Sequence, residues 1–285
     1  MAGTPATARA AASTHRRHGS EQEAVPQLAQ AVERALTMLE TFSARRPQLG
    51  VLELARALGS SPSTTSRLLA ALEQRGYVAQ DDATGRYRLG VRALELGYRF
   101  ADTDELILRA APHLDALAQQ LKLRGDLYRL ESGQLLRYLT ANYPPGQTMT
   151  GGWRFYPYTS AAGRVLLAFL PEGEQAVLVR GGQLLATLHE RLTVDRLQAQ
   201  LEAIRLRGYD MDDDAAGVGK RSLSVPVRDA SGGVIAALSV TGPASRLVDA
   251  EIPAILEVVF DRAFEMSKAL GYRPYQALCE PASEP

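Results

Sequence analysis

The stretch from Gly50 to Leu89 constrains the fold most: two short amphipathic helical patterns meet at a glycine, and a polar hairpin follows. Val51, Leu52, Leu54, Ala55 and Leu58 make the first pattern, which stops at Gly59. The second begins at a defined point, because Ser61 is a natural N-cap and Pro62 suits the first helical position, where a missing N–H and a fixed φ cost nothing. Thr65, Leu68, Leu69 and Leu72 recur at helical spacing, which predicts one buried face and leaves Ser63, Ser66, Arg67 and Ala70 on the other. A helix exposing small hydroxyls and an arginine near its start fits a DNA major groove. Gly76 ends it, Tyr77 and Val78 open a strand, Asp82 to Gly85 turn, and Arg86, Tyr87, Arg88 and Leu89 return. The pattern is a winged helix-turn-helix.

Charge must support that reading locally. Over all 285 residues Lys plus Arg is 32 and Asp plus Glu is 32, so the chain has no net attraction for nucleic acid. Between Val25 and Gly90, eight arginines (34, 45, 46, 56, 67, 75, 86, 88) face six acids (33, 40, 53, 73, 81, 82). The surplus of two doubles in a symmetric dimer. A single cysteine, Cys279, gives no intrachain disulfide and no cysteine metal motif, and His15, His18, His113 and His189 are scattered. No metal and no cofactor are expected. No apolar run is long enough to span a membrane, and the N-terminus lacks a signal peptide's hydrophobic core, so a cytoplasmic location without a membrane partner is expected.

The length predicts two domains. Residues 1–24 have no stable period and read as a flexible tail. Residues 25–90 form the DNA-binding module, opened by a helix from Leu28 to Phe42. Residues 91–122 are helical in pattern and read as a linker, in which Pro112 predicts a kink or two consecutive helices. From 123 to 271 the period changes. Asp126–Glu131 and Gln134–Ala141 alternate as strands about a Ser132-Gly133 turn. A helix capped by Thr159 or Ser160 runs toward Pro171, another spans Thr193–Gly208, and Ser222–Val227 and Val234–Val240 are strands. A last helix covers Ile252–Leu270, and 272–285 are a tail. Helices before, between and after an antiparallel sheet make an α+β domain.

The chain resembles the IclR family of bacterial transcription regulators from about Gln27 to Leu270. The resemblance is carried by A-V-E-R-A-L (Ala31–Leu36), V-L-E-L-A-R-A-L-G (Val51–Gly59), S-T-x-x-R-L-L-A-x-L-E-x-R-G-Y-V (Ser63–Val78) and G-R-Y-R-L-G (Gly85–Gly90). In the second half it is carried by G-x-V-L-L-A-F-L-P (Gly163–Pro171), R-G-Y-x-x-D-D (Arg207–Asp213) and A-A-L-S-V-T-G-P-A-S-R-L (Ala236–Leu247). It implies a C-terminal GAF-like effector-binding domain, homodimers formed through the DNA-binding modules, and often homotetramers formed through the sensing domains.

Carried onto this chain, the DNA-binding candidates are Ser63, Thr64, Ser66 and Arg67 on the recognition helix and Thr84, Arg86 and Arg88 on the wing. Arg67 can bond guanine bidentately or hold a phosphate, and the wing arginines either touch the DNA backbone or are solvated. Pro62 and Ser66 depart from longer polar residues common in the family. The resemblance also implies effector contacts at Ala161, Ala162, Asp212, Ser222, Ser239 and Thr241. The amides opening the Ser160 helix offer an anion site, and the strand hydroxyls suit a small organic acid. Their other reading is ordinary strand hydrogen bonding. Ser222 stands where many relatives have cysteine, and Tyr158 where histidine is common. Trp153 and Arg154 belong to an aromatic segment that either lines the pocket or packs on a tetramer partner, so aromatic, aliphatic and lactone ligands all remain open.

Catalysis is not expected. Asp210, Asp212, Asp213 and Asp214 are an acidic run, but consecutive aspartates do not share one side of a regular element, and Ser160 has no G-x-S-x-G setting. The sequence predicts a DNA-binding transcription regulator, a repressor by default, controlled by a small effector at double-stranded operator DNA. The alternative is a ligand-independent architectural DNA binder.

Overall fold

A computed structural model describes residues 29–144, 149–150, 154–180, 193–213 and 219–274. The predicted tail 1–24 lies outside them, as do Trp153, Asp214 and most of 272–285. The chain divides into two compact units between Arg99 and Phe100.

The first unit holds α1 (29–41), α2 (Val51–Ala57), α3 (Pro62–Gln74), β1 (Val78–Gln80) and β2 (Tyr87–Leu89). Ser61 Oγ accepts from the Thr64 amide at 3.2 Å with Pro62 at the first position, which is why α3 starts there. Glu53 Oε2 likewise accepts from the Gly50 amide at 2.8 Å and fixes the start of α2. β1 and β2 pair antiparallel, and Leu49 adds a separate bridge by bonding Tyr87 through both backbone groups, at 2.9 and 2.8 Å. Met38, Leu49, Leu54, Leu69 and Val78 close a small core with Phe42 and Tyr87. At roughly 1.5–3 kcal/mol for each fully buried large apolar side chain, this core outweighs the weak propensities of its short elements.

The expected linker divides differently from its proline. α4 (Val91–Ala101) and α5 (Glu105–Leu121) are separate helices, and the break falls at 102–104, where Asp104 caps α5 by accepting from the Ile107 amide at 2.9 Å. Pro112 sits inside α5 on its exposed side. There water can satisfy the Leu108 carbonyl that proline leaves without an amide, so the helix continues. Leu106, Ile107, Ala110, Leu114, Leu117 and Ala118 bury the inner face of α5 in the second unit's core. Half of the predicted linker therefore belongs to that unit's interior.

The second unit is built on β3 (Arg124–Glu131), β4 (Gln134–Ala141), β5 (Met149–Thr150), β6 (Arg154–Phe155), β7 (Asp210–Asp213), β8 (Lys220–Arg228) and β9 (Val234–Pro243). The order is β5-β4-β3-β9-β8-β7, antiparallel throughout, with β6 also on β4. Ser132 (φ 51°) and Gly133 (φ 76°) form the tight turn of the β3–β4 hairpin, where both central residues need positive φ. α6 (Ala161–Ala168), α7 (Glu172–Arg180), α8 (Val194–Arg207) and α9 (Ile252–Ala269) complete it.

The two sheet faces differ in chemistry. Leu127, Leu139, Leu223, Val225, Leu238 and Val240 point to α5 and α9 and form the larger core. A Cβ added at Gly125 would lie 3.0 Å from Leu114 Cδ1, which puts this β3 position on the α5 side and its neighbours Arg124 and Asp126 on the other. That other face carries Asp, Ser and Thr side chains and is covered by α6, itself backed by α8.

Candidate nucleic-acid interface and effector site

Ser63, Ser66, Arg67 and Ala70 are exposed on α3, while Thr65 and Leu69 are fully buried and Leu68 and Leu72 half-buried. Thr65 Oγ1 bonds Ser60 Oγ at 2.8 Å, a polar seam under the helix start. Ser63 and Thr64 hydroxyls lie 3.0 and 2.9 Å from Ser61 Oγ, so the cap and the outward hydroxyls form one cluster. Arg67 carries no ion pair among the described residues.

The wing candidates are differently placed. Thr84 donates from its hydroxyl and its amide to Asp81 Oδ1, both at 2.8 Å, and these bonds hold the Asp81 carboxyl below its ordinary pKa. Arg86 Nη2 donates to the Gln48 carbonyl at 3.1 Å and to Glu53 Oε2 at 2.7 Å. The Gly50 amide first, and Arg86 after it, lower the Glu53 pKa. Thr84 and Arg86 thus build the wing and clip it to the start of α2. Arg88 is exposed.

In the second unit every residue of α6 is buried, including Arg164. Its Nε donates to Asp210 Oδ2 at 2.6 Å, Nη2 to Asp212 Oδ1 at 2.5 Å and Nη1 to the Tyr158 carbonyl at 3.2 Å. Burial works to lower the guanidinium's pKa, and Asp212 and Asp210 together turn the net shift upward, so Arg164 stays charged. Asp212 Oδ2 accepts from the Ala161 amide at 2.6 Å, and Ser160 Oγ from the Gly163 amide at 3.3 Å. Two of the amides at the start of α6, those of Ala161 and Gly163, are therefore already engaged by the protein's own Asp212 and Ser160.

The consecutive aspartates Asp212 and Asp213 point to opposite sides, as expected, but the alternate ones do not. Asp210 to Asp213 form β7, and the two-residue period of a strand puts Asp210 and Asp212 on one face against Arg164. Asp213 is 73% exposed. Neither this strand nor Arg164 was predicted; the i, i+2 spacing of Asp210 and Asp212 was the available signal.

Register aligns the polar side chains of this face in two rows. Asp210, Ser224, Ser239, Asp126 and Thr140 lie opposite one another across five strands, and all are buried. Ser224 and Ser239 hydroxyls bond each other. One step along, Asp212, Ser222, Thr241 and Arg124 form a second row. Ser222, Thr241 and Arg124 are half-buried, and Thr241 Oγ1 donates to Ser222 Oγ at 3.3 Å. The inner row is a floor, and the outer row is reachable.

Ala161, Asp212, Ser222 and Thr241 are brought together by this arrangement. Ser239 belongs to the closed floor. Ala162 is buried in the α6 core and Trp153 is outside the described residues. Arg154 is exposed at the far end of β4, opposite Leu136 and four residues from Thr140, about 13 Å away along a strand. Its Nη1 reaches Gln134 Oε1 at 3.3 Å, so it does not join the rows. A cavity of about 620 Å³, lined by Leu130, Leu166, Leu170, Leu178, Val234 and Ile235 among others, includes none of the predicted effector residues. Among the described residues no His, Cys, Asp and Glu cluster of three or more could hold a metal, and no helix is long and apolar enough to cross a membrane.

Comparison with known proteins places both units in one family. The family description "IclR helix-turn-helix domain" matches residues 31–82, and "Bacterial transcriptional regulator IclR C-terminal" matches 99–268. The chain is 31% identical over 249 residues to the HTH-type transcriptional regulator XynR of Escherichia coli (strain K12), covering 85% of this chain and 98% of XynR. It is likewise 31% identical to the glycerol operon regulatory protein of Streptomyces griseus, over 85% of this chain and 96% of that one. A solved transcriptional regulator of Rhodococcus sp. RHA1 superposes with a TM-score of 0.72 at 28% identity, over 85% of this chain and 98% of that chain. The fold is also that of an IclR homologue from Microbacterium hydrocarbonoxydans solved with 4-hydroxybenzoate, with a TM-score of 0.69 at 23% identity over 84% of this chain and 98% of that one. The helix-turn-helix unit and the second unit are those of a DNA-binding transcription regulator with an effector-binding domain, and the chain belongs to the IclR family of bacterial transcriptional regulators.

Proposed function

We propose that this regulator is a homo-oligomeric repressor released from its operator by a small organic acid. The observation that carries the effector class is the outer polar row, where Ser222 and Thr241 sit half-open between a carboxylate and a guanidinium. Such a row recognises a molecule with an anionic end and a hydrogen-bonding body. Repression is supported by relatives named as repressors, among them the transcriptional repressor IclR of Escherichia coli (strain K12), 27% identical over 247 residues. Dimerisation is supported by exposed apolar side chains: α4 buries none of its residues, and Val91, Leu94 and Tyr98 lie at heptad spacing, 69%, 55% and 60% exposed. A dimer places two copies of α3 in successive major grooves of a pseudopalindrome. The acid changes operator affinity by binding the competent and released arrangements unequally.

The test is recovery of bound DNA across the host genome, followed by operator titrations with pathway acids. A pseudopalindrome whose affinity falls when one acid is added supports the proposal. Broad binding without a preferred site sinks it in favour of an architectural role, and an acid that tightens binding makes the protein an activator or co-repressed regulator instead.

A further inference from the structure

We infer that Arg124 is the residue of the outer row that receives the effector's carboxylate, positioned for it by the buried Asp126. This rests on the small-acid reading above and assigns it to a named group. Asp126 is 0% exposed, and both its oxygens are engaged: Oδ2 accepts from Arg124 Nε and Oδ1 from Thr140 Oγ1, each at 2.8 Å. A carboxylate in that position needs a permanent counter-charge, which Arg124 supplies. The guanidinium has five N–H donors in one plane, so holding it by Nε orients the terminal nitrogens without occupying them. The Arg124 side chain stays 33% exposed, and it has no second acidic partner among the described residues.

The two anion-binding groups that α6 brings to this face are already committed. Arg164 is 10% exposed and is taken up by Asp210, Asp212 and the Tyr158 carbonyl. The Ala161 amide, the natural anion donor at the start of α6, is held by Asp212. An acid entering the row therefore meets one guanidinium able to bind it in plane. Thr241 lies directly opposite Arg124 and Ser222 one strand further, about 10 Å away in all. A ligand with its carboxylate on Arg124 and a second polar group within that span uses both hydroxyls. β3 supplies the pair through its two-residue period, Arg124 and Asp126 on one face with Gly125 between them.

The experiment is calorimetric titration of the full-length protein with pyruvate, succinate, benzoate and 4-hydroxybenzoate, each beside its carboxamide. The expected wild-type result is binding of at least one acid, with its amide about tenfold weaker or more. Arg124→Gln loses about tenfold or more in affinity for that acid and no longer separates it from the amide. Because Arg124→Gln leaves Asp126 buried without its partner, the double variant Arg124→Gln/Asp126→Asn is titrated too, with its thermal melt as the check of folding, and the same loss of discrimination is expected. An acid bound as tightly and as selectively by either folded variant overturns the assignment of Arg124 while leaving the small-acid reading intact. If wild type binds no acid, or binds acid and amide alike, the small-acid reading fails and the assignment fails with it.

Discussion

An added Cβ at Gly163 would lie 1.9 Å from the Pro157 carbonyl oxygen, closer than any side chain can stand. Gly163→Ala must therefore push α6 away from the turn at Pro157–Thr159, and through Ala161 it disturbs Asp212. A loss of about 3 kcal/mol or more, read as the shift of a urea midpoint, is expected; a neutral substitution would mean that the turn and α6 are not packed as described. Arg164 is the second residue whose removal is costly. Arg164→Leu leaves Asp212 without a cation and Asp210 with only the half-exposed Arg207, and breaking a buried pair from one side costs about 3–5 kcal/mol. Arg164→Leu combined with Asp210→Asn and Asp212→Asn is expected to recover part of that loss in the same denaturation measurement. These two residues also mark what local pattern hides. Gly163 reads as one glycine within an apolar helix, and Arg164 as a helix arginine with an exposed head. Only the approach of Pro157 and the strand pairing of Asp210 and Asp212, both set by tertiary packing, give them their roles.

Short local rules fared better at the scale of elements. The start of α3 was legible because an N-cap serine and a first-position proline act within four residues, and the β3–β4 turn because Ser132-Gly133 needs no distant partner. Pro112 misplaced the linker break, since proline's cost depends on whether water reaches the freed carbonyl. The same distance-dependence separates the DNA candidates. Arg67 has no partner among the described residues, so Arg67→Ala is expected to weaken operator binding about tenfold and to lower its salt dependence by about one ion, measured by binding isotherms across salt concentrations. Arg86→Ala acts through structure: the Gly50–Glu53 contact and the wing lose their tie, and faster amide exchange at Gly50 and in β2 is the expected sign. Tyr138 gives a pH signature at the start of α5. Burial first, and the bond from its hydroxyl to Asp104 Oδ2 at 2.6 Å after it, push its pKa up to about 12. An unfolded tyrosine ionises near pH 10. The neutral phenol thus contributes stability that is fully present below about pH 10 and is lost as pH rises toward 12. The stability difference between wild type and Tyr138→Phe should shrink over that window in urea titrations, and a constant difference would place the phenol in solvent.

Whole-molecule function depends on surfaces that one chain leaves open. Val91, Leu94 and Tyr98 form an exposed stripe along α4 at i, i+3 and i+7, and Val32 and Leu36 on α1 are also more than half exposed. An isolated protein gains nothing from holding such groups in water, whereas burying them between two copies stabilises a dimer by roughly 25 cal/mol for each Å² of apolar surface removed. The consequence reaches DNA. With one Arg67 per recognition helix and a local cationic surplus of only two, a single module is expected to bind weakly, and in the dimer proposed above operator affinity rests on two modules joined so that the second binds at high effective concentration. Leu94→Glu introduces like charges across the stripe and leaves α3 untouched. The expected outcome is a shift to monomer by light scattering together with a loss of about 100-fold or more in affinity for a two-half-site operator. Affinity for a single half-site should not change, which separates loss of pairing from loss of fold. A dimer that survives Leu94→Glu with full operator affinity would place the contact elsewhere, and the apolar stripe of α4 would then need another partner.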